Sequence, residues 1–162
     1  MLNKTGVPTS EDLVKVTPSA ERLSRGPVAV IECFQQIPCN PCATSCPRGA
    51  ISSFNDINDL PEIDHDRCNG CAICVANCPG LAIFVVDESY TDTTAVVKIP
   101  YEFLPVPEAG QAVTALDREG HAVGTAIVVR VQNSKQQDRT LVVWLEIAKE
   151  LAMTVRHFRM EG

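Results

Sequence analysis

The sequence has little of what membrane proteins, nucleic-acid binders and most enzymes depend on. No apolar run approaches the roughly 20 residues that a spanning helix needs, and the opening stretch, MLNKTGVPTSEDLVKV, lacks the apolar core of a secretory signal. A cytoplasmic setting with no membrane partner is therefore expected. Basic residues are outnumbered, 14 against 20 acidic ones, giving a formal charge of −6, which argues against nucleic acid or anionic lipid as a partner. Histidine is scarce: His121 falls at a turn and His157 near the end, both read as surface or satisfied residues. Residues 88–162 contain no glycine-rich phosphate loop and no paired catalytic constellation, so no catalytic site is expected there.

Cysteine is missing from both ends of the chain, and all eight copies lie between Cys33 and Cys78. A disulfide framework would staple the whole of a small fold, whereas in a reducing compartment free thiols serve as metal ligands. The spacing identifies that use. Cys68, Cys71, Cys74 and Cys78 before Pro79 give C-x2-C-x2-C-x3-C-P, and Cys33, Cys39, Cys42 and Cys46 before Pro47 give C-x5-C-x2-C-x3-C-P. In such a run three closely spaced thiolates hold one iron–sulfur cube and the fourth ligates the other cluster. The following proline starts a turn that leads the chain away from the first cube. This assigns Cys33, Cys39, Cys42 and Cys78 to a first 4Fe–4S cluster and Cys68, Cys71, Cys74 and Cys46 to a second. The wider first gap, Phe34 to Pro38, bulges the loop without removing a ligand. Gly70 is expected to relieve crowding against the inorganic core. Zinc on four thiolates is the competing reading, but paired C-x2-C motifs do not require a third close cysteine and a fourth before proline, twice over. With eight thiolates present, His65 in HDRC has no ligand vacancy to fill and is read as a hydrogen-bond donor near the second cluster.

An internal repeat agrees. CPRGAI at Cys46–Ile51 matches CPGLAI at Cys78–Ile83, each running from a fourth cysteine through a turn into an apolar strand. A pseudo-twofold unit follows, with strands at 28–32, 51–54, 62–64 and 83–87 and short helices at 40–46 and 72–78. A unit of this size cannot bury enough apolar surface alone, so the clusters complete its core.

On these motifs, Val28–Asp87 resembles a clostridial-type two-cluster ferredoxin, which implies a pair of βαβ-type repeats with clusters close enough for electron hopping. The segment GPVAVIECFQQIPCNPCATSCPRGAI, with IPYEFLPVPEAG and ALDREG further on, is similar to ferredoxin-like subunits of multi-subunit flavin-dependent dehydrogenases of the proline, hydroxyproline, sarcosine, opine or hydrogen-cyanide synthase type. That similarity implies a hetero-oligomeric electron relay whose partner chain carries FAD or FMN and oxidises a C–N bond.

Three segments and an α+β fold are therefore expected: an N-terminal arm over 1–27 with one short helix at 10–16, the two-cluster unit over 28–87, and a small all-β barrel or sandwich over 88–162 that docks on a partner or caps the clusters. Its strands are expected at 95–100, 112–116, 122–131 and 140–147, with turns at Asp117–Gly120 and Asn133–Asp138, Trp144 plugging its core, and a helical turn at 148–153 before a final strand. Adding about −2 for each oxidised cluster with its thiolates brings the holo-protein to about −10. Glu32, Asp56, Asp59, Glu62, Asp64 and Asp66 are expected to steer it toward a basic face. A freely diffusing ferredoxin with an appended β-domain and a cluster-based sensor are the alternatives to a bound relay subunit.

Overall fold

β-Branched residues gather in runs that become strands wherever both faces can be covered. In the computed structural model, which describes residues 2–133 and 140–161, β1 (Val28–Ile31), β2 (Ile83–Asp87), β3 (Thr94–Tyr101), β4 (Ala112–Leu116), β5 (Ala122–Gln132), β6 (Leu141–Ala148) and β7 (His157–Met160) form one antiparallel sheet in the order β1-β2-β3-β6-β5-β4-β7. Short helices are α1 (Leu2–Thr5), α2 (Ser10–Val14), α3 (Ala20–Arg25), α4 (Pro41–Ser45) and α5 (Ile73–Asn77). A 3-10 turn at Lys149–Leu151 precedes β7, where a helical turn was expected. None of the described helices is long and apolar enough to cross a membrane.

The expected barrel or sandwich does not stand apart from the cysteine-bearing unit. After β2 the chain turns back at once, with the Asp87 carboxylate accepting the Ser89 N–H at 3.0 Å, and β2 pairs with β3 in the register Val86↔Val97. This local hairpin carries the sheet unbroken across the boundary expected at residue 87. β3 then pairs with β6 along its whole length, from Thr94↔Ala148 to Tyr101↔Leu141. Pro100 is tolerated inside β3 because the pairing with β2 stops at Lys98, so one side of β3 is already an edge there.

Alternation along β6 separates two cores. Val143, Leu145 and Ile147 enter a β-core with Val97, Ile99, Val113, Val128 and Phe158. Val142 and Trp144 point the other way, into a core containing Ala29, Ile31, Val85 and the cysteines. Trp144 therefore packs on the cysteine side and does not plug the β-core. β1 is buried on both faces: Ala29 and Ile31 meet the cysteine core, while Val28 and Val30 meet Leu23 of α3, Val86 and Ala152.

Two expectations shrink and one grows. The strands at 51–54 and 62–64 reduce to a single bridge, Ile51↔Ile63. The intervening segment is polar, and its Asp56 and Asp59 carboxylates take nearby backbone N–H groups that a ladder would otherwise use. The N-terminal arm is more ordered than its weak periodicity implies. Thr9 and Asp12 form a reciprocal capping box on α2, and α3 buries Arg22 and Leu23. Most of the turn expected at Asn133–Asp138 lies outside the described residues.

Candidate iron–sulfur site

Each cysteine run begins as a loop, makes one turn of helix and leaves through proline. α4 follows Asn40 with Pro41 at its first position, and α5 is entered through Ala72, held left-handed at φ 69°. These turns bring the eight thiols to two separate cavities. Cys33, Cys39, Cys42 and Cys78 line one together with Ile31, Ile83 and Phe54. Cys46, Cys68, Cys71 and Cys74 line the other with Ala29, Ile51 and Ile63. The two groups are the ones the sequence assigned to separate clusters, including the crossing of Cys46 and Cys78.

The donor chemistry fits 4Fe–4S clusters. Among the described residues, no three His, Cys, Asp or Glu side chains converge closely enough to share a single metal ion, whereas a cubic cluster takes thiolates spaced around a polynuclear core. Both cavities are mainly apolar. Backbone N–H groups are turned to the sulfurs: Ala29 and Gly70 donate to Cys68 Sγ at 3.3 and 3.4 Å, and Ala82 donates to Cys78 Sγ at 3.4 Å. Such bonds favour thiolate and, with iron bound, tune its potential.

Without a cation Cys33, Cys42 and Cys74 resist ionisation. Burial pushes the Cys42 thiol up to about 11, with Cys78, Cys39 and Cys33 adding repulsion. Cys74 is raised further by burial and then by Cys68, Cys71 and Cys46, and burial also raises Cys33. Cys46 differs: burial raises it, but backbone N–H groups of Ile51, Arg48, Ala50 and Gly49 outweigh that and hold it below the ordinary thiol value. Four thiolates around one cavity require a positive centre, and iron supplies it.

Gly70 is also needed for packing within the protein. Its φ is +71°, and a Cβ there would sit 2.5 Å from Pro27 Cβ, in the N-terminal arm. The same loop is gripped by residues that carried no motif. Arg22 is buried and donates to the carbonyls of Cys68 (2.8 Å), His65 (2.7 Å), Pro27 and Gly26. Lys98, buried in β3, donates to the Gly70 carbonyl at 2.7 Å and lies 3.9 Å from the Trp144 ring centroid. Gln132 links the Trp144 indole N–H (3.0 Å) to the Cys71 carbonyl (3.3 Å). The one signal available in the sequence was a lysine inside the apolar run TAVVKIPY. His65 contributes its carbonyl, while its Nε2 is buried with no hydrogen-bond partner.

The first cavity borders a broad cleft lined by Cys33, Cys39, Cys78, Phe34, Arg118 and His157, among others. At its wall Glu32 is clamped by two arginines: Arg118 Nη2 and Nε at 2.5 and 3.0 Å, and Arg156 Nε at 3.0 Å. The Glu32 side chain is 7% exposed, so it is neutralised inside the fold and does not join the acidic residues expected to steer a partner. Asp56, Glu62, Asp64 and Asp66 are exposed and Asp59 half-buried.

Residues 37–82 match the family described as the 4Fe-4S dicluster domain. Similar curated proteins include the thiosulfate reductase electron transfer subunit PhsB of Salmonella typhi, 49% identical over 24% of this chain and 19% of its own length. The pyruvate synthase subunit PorD of Methanocaldococcus jannaschii is 44% identical over 32% of this chain and 58% of its own. A selenate reductase subunit of Mesobacillus selenatarsenatis is 37% identical over 43% and 23%. The chain thus spans less than two thirds of each of these relatives. No solved structure matches it. The matched stretch contains seven of the eight cysteines that line the two cavities, all but Cys33, so the similarity to 4Fe–4S dicluster domains falls on the cysteine-bearing part of the fold.

Proposed function

We propose that this protein is an electron-transfer subunit carrying two 4Fe–4S clusters, the first on Cys33, Cys39, Cys42 and Cys78 and the second on Cys68, Cys71, Cys74 and Cys46. The observation that supports this reading most directly is the sorting of eight cysteines between two apolar cavities, four to each. Relatives named as an electron-transfer subunit of one reductase and as a subunit of another favour a relay over a sensor. The chain performs no bond-making step of its own; it accepts an electron at one cluster and passes it on from the other.

The partner is a flavin-dependent dehydrogenase that oxidises an amine or amino acid, with FAD or FMN in the larger chain. This part of the proposal rests on the resemblance carried by the widened first gap and by IPYEFLPVPEAG. The residues of that second segment have a physical role consistent with docking. Phe103, Leu104 and Val106 are 59%, 86% and 43% exposed, an apolar patch of the kind that marks interfaces. Phe103 lies 5.8 Å from the His157 ring, and His157 borders the cleft beside Cys33, Cys39 and Cys78. Residues 88–162 thus act as a docking module that seats the partner next to the first cluster, 28–87 as the two-cluster unit, and 1–27 as the arm that braces it. A cytoplasmic setting, where thiols stay reduced, goes with this role.

Anaerobic recovery of the untagged complex, with iron, sulfide and flavin quantified, tests the proposal. About eight irons per chain with flavin in a larger partner supports it. The same iron with no partner makes the protein a diffusible ferredoxin, and about four irons refutes the ligand assignment.

A further inference from the structure

Buried cations are costly unless something anionic compensates them. Arg118 and Arg156 have Glu32. Arg22 and Lys98 do not: among the described residues neither has a carboxylate within ion-pair distance, and both spend their donors on backbone carbonyls. Those carbonyls are not scattered. Arg22 binds Cys68 and Lys98 binds Gly70, two residues apart in the same short ligand loop, and each approaches it from a different element, α3 and β3. Lys98 is held in place by its Trp144 contact, and Arg130 of β5 lies 5.1 Å from that ring. Cys68 and Gly70 both line the cavity shared by Cys46, Cys71 and Cys74.

We propose that Lys98, together with Arg22, is a buried counter-charge for the second cluster and sets its reduction potential. The proposal rests on the two-cluster reading. A cluster with four thiolates is anionic when oxidised, and one-electron reduction adds a further negative charge. A fixed positive charge at the ligand loop stabilises the reduced form more than the oxidised form, which raises the potential. The anion in turn compensates two cations that have no carboxylate within ion-pair distance among the described residues, Asp87 acting on Lys98 only from further away. Arg22 also ties the N-terminal arm to the loop, so Lys98 is the position at which charge can be removed with least disturbance. It is a tuning residue, since it meets the loop carbonyl and no reacting atom.

The test is a redox titration of the full-length holo-protein, poised at an electrode or with dithionite and followed by electron paramagnetic resonance. Wild type is compared with K98Q, which can still donate to the Gly70 carbonyl, with K98M and with K98R. Iron and sulfide are counted in each. The expected result is that K98Q lowers one midpoint so that the reduced-to-oxidised ratio at fixed potential falls about tenfold, about 59 mV for one electron. The other midpoint stays in place and K98R recovers the wild-type value. Assembly of K98R together with failure of both neutral variants to assemble also supports a charge requirement. An unmoved midpoint in a neutral variant that retains its iron overturns the proposal, as does a K98R shift equal to that of K98Q, or failure of all three variants to assemble. Wild-type protein with about four irons overturns the two-cluster reading itself, and the inference with it.

Discussion

Glu32→Gln offers a quantitative test of how the cysteine loop is anchored. Glu32 directly precedes Cys33, its backbone N–H donates to the Ala82 carbonyl at 2.8 Å, and its carboxylate accepts three bonds from Arg118 and Arg156. The Arg156 side chain is only 3% exposed, and burial pushes its guanidinium down to about 10 against the opposing pull of Glu32. Removing the carboxylate's charge leaves that guanidinium buried among neutral groups: the substituted side chain's amide oxygen, the Ala152 and Val155 carbonyls, the Met153 sulfur and the Phe84 ring. Breaking a buried pair in this way costs about 3–5 kcal/mol, or an apparent melting shift of roughly 6–20 °C for a chain of this size. Thermal unfolding of the holo-protein at a fixed scan rate, followed by circular dichroism and visible cluster absorbance, measures it. E32Q/R156M recovers part of the loss, because the orphaned charge is gone. The reasoning fails if E32Q costs less than about 1 kcal/mol, or if adding R156M lowers stability by its full single-mutant amount. The effect also has a pH signature. Burial raises the Glu32 carboxyl, but Arg118 and Arg156 outweigh it and hold it below the ordinary value of 4.5. Its contribution is therefore complete above that value and disappears as pH falls through the lower folded one, so wild type and E32Q converge in acid.

Cys39→Ala is expected to lower iron from about eight to about four per chain while the spectrum of the cluster on Cys46, Cys68, Cys71 and Cys74 persists; unchanged iron would contradict the ligand assignment. Gly70→Ala forces an L-residue to φ +71° and a Cβ to within 2.5 Å of Pro27. The left-handed conformation alone costs about 1–2 kcal/mol, and iron retention on dilution into chelator should fall. Trp144→Ala should cost about 3 kcal/mol, the low end for a tryptophan because the ring is half-buried, and also alter the paramagnetic signal of the second cluster, since the ring holds Lys98 and, through Gln132, the Cys71 carbonyl. An unaltered signal would mean that the ring contributes packing to the cysteine-side core and does not reach the cluster through Lys98 or Gln132.

Which cysteines share a cavity was legible because the grouping is local: spacing along 14 residues in the first run and 11 in the second decides which sulfurs lie together, and the proline behind Cys46 turns the chain so that it joins the second run. Strand positions were legible for the same reason, since the runs at 28–31, 83–87 and 112–116 carry their own β-branched signal. What escaped was the relation between segments. Nothing in VVWLEI distinguishes which core Trp144 enters; that depends on β6 lying beside β3, a contact between residues far apart in the chain. Glu32 read as one more surface acid because both of its partners, Arg118 and Arg156, arrive from the far side of the fold. Arg22 looked like an ordinary charged residue of the N-terminal arm until its four carbonyl partners were brought around it.

The unbroken sheet has a consequence for how such a protein is built in the cell. β1 and β2 are held flat against the cysteine core on one face, and β3 is laid on β2. A chain that has failed to acquire iron loses the support behind β1 and β2, and the unpaired edge of β3 is then open to other strands. Cofactor insertion and the order of the rest of the sheet are thus joined through a single hydrogen-bonded ladder. Quality control by chaperones and proteases can recognise that edge and discard the empty chain.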